Sequence, residues 1–131
     1  MSPLGIATST AIPDHLGKIA KKWEYENMAD EKFGKCTEAA NKIKDYLKRH
    51  NLHGAIIELE WSPRTNVYIG SLLKGKPAST NGFHVGVLYN GMVYCNIHTS
   101  GLAKQTWIND FYQYIPTTPM AMKLPAKEIP F

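Results

Sequence analysis

The chain has 131 residues, 44% hydrophobic and 20% charged, with a formal charge of +4. That size fits one compact domain able to bury a core without metal or disulfide staples, and two cysteines are too few for a disulfide scaffold. No apolar run approaches the roughly 20 residues of a membrane span, and the lysines are spread as on a solvated helix surface rather than massed into a nucleic-acid patch.

Residues 1–13 are small and proline-containing, without the basic leader and apolar stretch of a secretory signal, and are expected to form a flexible arm. The remaining residues, 14–131, are expected to form one domain. Asp14 reads as an N-cap, and Leu16, Ile19, Ala20 and Trp23 follow at helical spacing, which predicts a first helix over about 14–26. A second helix starts at Cys36. Its stripe is Ala39, Ala40, Ile43, Tyr46 and Leu47, its last turn carries Lys48, Arg49 and His50, and Asn51 and Gly54 stop it.

Ala55 to Trp61 reads as a strand, Ser62 to Thr65 as a turn, Val67 to Leu73 as a further strand or irregular segment, and Gly75 to Thr80 as a loop. Gly82 to Tyr89 and Met92 to His98 are the arms of a hairpin turned by Asn90-Gly91. A short helical piece follows around Gln105 to Phe111, with Trp107, Ile108, Phe111 and Tyr112 packing it onto the sheet. The proline-bearing tail from Pro116 is expected to be irregular. The order gives an α+β class, with N-terminal helices on one face of an antiparallel sheet.

Cys36 stands where Phe33-Gly34-Lys35 leads into the second helix. Unpaired N–H groups and the helix dipole at such a position favour a thiolate, the form that attacks carbonyl carbon. The competing reading is a small apolar residue closing the helix start. His84 lies in an otherwise apolar strand, where an imidazole needs a partner. Gly86, two residues on, shares its face and leaves room beside the ring. A helix-starting Cys followed by a strand-borne His is the order of papain-type enzymes. With Tyr89 opposite Met92, the register puts Cys95 and Ile97 on the His84 face and Asn96 on the other. Geometry therefore nominates Cys95 as the third group, and hydrogen-bond chemistry nominates Asn96.

The segments Gly34 to Leu47, Thr80 to Leu88 and Val93 to Phe111 resemble the papain-fold toxin domains of bacterial polymorphic toxin systems. The resemblance covers about Phe33 to Phe111 and implies a papain-like fold and a Cys–His–acid triad. It makes Cys36 the nucleophile and His84 the base of a cysteine hydrolase, either a protease or a glutamine deamidase. The family pattern reads Asp-Asn-Ile-His where this chain has Cys95-Asn96-Ile97-His98, so a thiol stands where the orienting carboxylate is expected. That implies weakened activity, a triad closed by Asn96, or a disarming replacement. The oxyanion would meet the Cys36 N–H and one side-chain donor. No Gln precedes Cys36, and Asn27 is a remote candidate.

The resemblance also implies a protein substrate in a target cell and a cognate immunity protein, and the residues themselves lead us to expect no cofactor and no membrane partner. The chain would work in the cytosol or as a secreted effector module. Two alternatives remain open: a nucleic-acid-cleaving toxin using His84 or His98, and a catalytically silent binding module. The sequence has no paired Cys/His spacing for zinc and no phosphate-binding glycine loop.

Overall fold

A computed structural model describes residues 3–60, 67–115 and 118–131, with backbone alone for 3–10, 114–115 and 118–123. The first helix, α1, runs Pro3–Lys21. It therefore takes in residues 3–13, expected as an arm, and ends earlier than expected. Ile12, Leu16 and Ala20 are buried along one face, so tertiary packing extends the helix past Pro13, although proline weakens a helix interior.

The second helix, α2, runs Cys36–Arg49, as its stripe predicts, and buries Ala39, Ala40, Ile43 and Leu47. Its end is a Schellman turn. Asn51 has φ 56°, and the Leu52 N–H donates to the Leu47 carbonyl at 2.9 Å.

Among the described residues, nine strands make two antiparallel sheets. The first contains β1 (Ala55–Glu60), β4 (Phe83–Tyr89), β5 (Met92–Tyr94), β6 (Leu102–Ala103) and β9 (Ala126–Pro130), in the order β6-β5-β4-β1-β9. The second contains β2 (Tyr68–Ser71), β3 (Lys76–Ser79), β7 (Phe111–Ile115) and β8 (Thr118–Lys123), in the order β3-β2-β7-β8. A short helix, α3 (Lys104–Asp110), joins them. The class is α+β, as expected.

Two expectations give way. The loop at 75–80 contains β3, which pairs with β2, and Pro77 is tolerated because β3 is an edge strand. The tail supplies β8 and β9 rather than irregular chain, and β9 pairs along β1 from Ala55↔Pro130 to Leu59↔Ala126. Partners distant in sequence satisfy these backbones, which local composition does not disclose. The expected turn at 62–65, Trp61 and Pro116 lie outside the described residues.

The hairpin turns at Asn90 (φ 51°) and Gly91 (φ 82°), and Tyr89↔Met92, Leu88↔Val93 and Val87↔Tyr94 pair as the register predicts. β5 then ends at Tyr94, so Cys95 to His98 is loop rather than strand.

Alternation along β4 divides the core. Val85 and Val87 pack with Leu16, Ile43 and Leu47 of the helices. The opposite face looks toward Leu59, Cys95, Ile97, Trp107 and Phe111. The helices thus cover one face of the first sheet, while α3 and the second sheet close the other, a layer the chain order did not reveal.

Candidate active site

Cys36 is the first residue of α2 and is buried among the helix-side apolar residues. Its sulfur lies by the N–H groups of Val85 and Thr37 and by the Thr37 hydroxyl, donors that favour its thiolate. The hairpin explains the Val85 contact. In an antiparallel pair, alternate residues direct their N–H groups to the same neighbour, so Val85 points the way Tyr89 and Val87 do, toward β5. Because β5 stops opposite Val87, the sulfur fills the vacated edge.

The expected depression of the Cys36 pKa is not what the structure gives. Burial pushes the thiol above its ordinary value, and the neighbouring donors of Val85 and Thr37 only oppose that rise. Helix-start N–H groups favour a thiolate, but here they act in an environment stripped of water, where desolvation of the charge is the larger effect.

His84 is fully buried on the other face of β4. Its ring stacks against Trp107, with centroids 5.8 Å apart, and lies tilted against Phe111 at 4.6 Å. Among the described residues, neither ring nitrogen has a hydrogen-bond partner. Burial is the main cause holding its pKa down to about 3, with the nearby His98 adding to it and the Asp110 charge opposing it. The imidazole is therefore neutral across the ordinary pH range. The structure brings the Cys36 sulfur to the backbone one residue from His84, with no hydrogen bond between thiol and ring.

The space beside His84 is filled by Trp107. A Cβ at Gly86 would meet Trp107 Cζ2 at 2.8 Å and Val93 Cγ1 at 2.7 Å, so only glycine admits the indole. Trp107 and Phe111 are core residues, as read from the sequence.

Cys95 lies on the His84 side, where register put it, in a cradle of donors. The Trp107 indole N–H and the His98 backbone N–H each donate to its sulfur at 3.3 Å. Burial drives this thiol up to about 11, and both cysteines are free. Asn96 is buried as well, and its Oδ1 has no partner among the described residues. Neither Cys95 nor Asn96 is hydrogen-bonded to His84. Asn27 is engaged locally, its Oδ1 accepting the Ala29 N–H at 2.9 Å, and it does not line the cavity at Cys36.

Sequence reasoning passed over the role of Asp110 and Ser71. Asp110 is buried at the end of α3. Its Oδ2 accepts from Ser71 Oγ at 2.5 Å and from His98 Nε2 at 2.6 Å, and its Oδ1 accepts the Leu73 N–H at 2.6 Å. Burial lowers the His98 pKa while Asp110 opposes that shift. The signal was present: Asp110 follows Trp107 by three residues and so shares its buried helix face. The network ties β2, α3 and the Cys95–His98 loop together and fixes the His98 N–H that points at Cys95.

A cavity of about 150 Å3 reaches Cys36 between Phe33, Thr37, Ala78, Ser79, Asn81 and Phe83. Among the described residues, no cluster of three or more His, Cys, Asp and Glu could hold a metal ion, and no helix is long and apolar enough to cross a membrane.

A family model described as "Papain fold toxin 2" matches residues 14–112. Neither a curated protein nor a solved structure matches the chain.

Proposed function

Given that the chain belongs to the papain fold toxin 2 family, we propose that it is a cysteine-dependent hydrolase of protein amide bonds, a protease or glutamine deamidase, with Cys36 as nucleophile and His84 as base. The observation that carries this reading is the His84 ring, fully buried with both nitrogens unpaired among the described residues. Such a group costs about 1–3 kcal/mol of stability. It sits one residue from Val85, whose N–H lies by the Cys36 sulfur.

The chemistry follows from neutral partners. His84 is unprotonated and takes the Cys36 proton as the sulfur adds to the carbonyl carbon. The imidazolium returns that proton to the departing amine, and water then releases the acyl group. The sulfur and the ring lie on opposite faces of β4. This reading therefore requires His84 to leave its place beside Trp107 and Phe111 and reach the thiol around the free edge of β4 when substrate binds, a larger rearrangement than the tightening of a long catalytic hydrogen bond. Cys95 occupies a cradle suited to an acceptor, and a thiol accepts weakly. The imidazolium therefore lacks a carboxylate at that position, which supports a slow enzyme.

The experiment is incubation with a protein substrate such as casein, followed by measurement of new amino termini and of released ammonia. New termini mean proteolysis, and ammonia without new termini means deamidation. Either is expected to vanish in Cys36→Ala, and release that survives this substitution contradicts the proposal. The unjoined Cys36 and His84 favour one other reading, a silent binding module, which predicts neither product.

A further inference from the structure

The cavity at Cys36 contains one side chain whose orientation is fixed by its neighbours. Ser79 Oγ accepts the Asn81 N–H at 3.1 Å, so its own proton is donated to Asn81 Oδ1 at 2.6 Å. The Phe83 N–H donates to the same Oδ1 at 3.3 Å. A backbone N–H can only donate, so the end of the carboxamide facing it is the oxygen. The amide nitrogen is the end left over. It has no acceptor among the described residues, and Asn81 lines the cavity with Cys36.

We propose, resting on the cysteine-hydrolase reading, that Asn81 is a catalytic residue whose Nδ2–H donates to the carbonyl oxygen of the group attacked by Cys36. As the C–S bond forms, the carbonyl π electrons move onto that oxygen and the thiol proton passes to His84. When the intermediate collapses, the C=O bond reforms and the leaving group departs with its bonding pair. The developing oxyanion lies between Asn81 Nδ2 and the N–H of Cys36, which heads α2 and so has no intrahelical acceptor. Thr37, another hydroxyl-bearing residue of the cavity, has its hydroxyl by the sulfur itself.

The probes are p-nitrophenyl acetate, which acylates through a tetrahedral oxyanion, and iodoacetamide, which alkylates sulfur by displacing iodide and forms none. Asn81→Ala and Asn81→Asp are compared with the unaltered chain by the mass of the Cys36 peptide over time. Asn81→Asp keeps the acceptor that Ser79 and Phe83 use, so a loss it shares with Asn81→Ala is not a collapse of the turn. Both variants are expected to acetylate about 10²–10³-fold more slowly, with Cys36 alkylation unchanged. Acetylation at the unaltered rate in both variants overturns the role of Asn81 and leaves the hydrolase reading intact. Failure of the unaltered chain to acetylate Cys36 at all, while iodoacetamide labels it, overturns both.

Discussion

The indole N–H of Trp107 donates to the sulfur of Cys95 at 3.3 Å, and the His98 backbone N–H converges on the same atom. Two convergent donors at a buried position are better matched to a carboxylate than to a thiol. Cys95→Asp is therefore expected to fold with both hydrogen bonds kept. It should also place a negative charge on the His84 side of the core, raising the His84 pKa from about 3. Loss of a triad's third member can cost on the order of 10⁴ in rate, so acylation of Cys36 and amide hydrolysis should both rise by several powers of ten. Progress curves for the two proteins check this, and no gain from a folded variant argues against position 95 as the orienting site.

His84 should weaken the fold it occupies. Replacing an unpaired buried polar group by an apolar one of similar size removes its desolvation penalty of about 1–3 kcal/mol. His84→Leu is expected to unfold at higher urea than the unaltered chain near neutral pH, while losing all hydrolysis. A variant less stable by more than 1 kcal/mol or so would mean that the ring has partners or packing that leucine cannot replace.

The pH dependence has a definite sign. In the folded chain His84 takes up a proton only near pH 3, against an ordinary value of 6.5. Between those limits the unfolded chain binds the proton and the folded chain does not. Stability is therefore full above 6.5 and falls as pH drops toward 3. His98, also lowered by burial, acts in the same direction. Urea midpoints taken from about pH 7 to about pH 4 should fall less steeply in His84→Leu than in the unaltered chain.

Asp110 holds three donors, from Ser71, His98 and Leu73. Asp110→Ala leaves the buried Ser71 and His98 groups and the part-buried Leu73 N–H unpaired together, with an expected loss of about 3–5 kcal/mol. Thermal or urea unfolding measures it. Gly86→Ala acts on the same neighbourhood sterically, since the added methyl would meet Trp107 and Val93 within 2.8 Å, against an expected loss of about 1–3 kcal/mol for overpacking.

The parts legible in the sequence were those written locally. The stripe of α2 set its bounds, and Asn90-Gly91 set the hairpin register, which in turn put Cys95 on the His84 side of β4. What escaped was decided at long range. β3 and β9 are strands because β2 and β1 complete their ladders, despite Pro77 and Pro130. The raised pKa of Cys36 escaped for the same reason, because sequence shows a helix start but not how much water the fold removes from it. The Asp110 network joins residues 37 to 39 positions apart from β2 to α3, a separation no local pattern spans.

The most direct test of the Cys36–His84 pair is the rate at which p-nitrophenyl acetate acetylates Cys36, read by mass in the unaltered chain, in Cys36→Ser and in His84→Gln. Removal of the general base should slow acetylation by about 10²–10⁴-fold, and Cys36→Ser should abolish the adduct at that peptide. Equal rates with and without the imidazole would contradict the pairing.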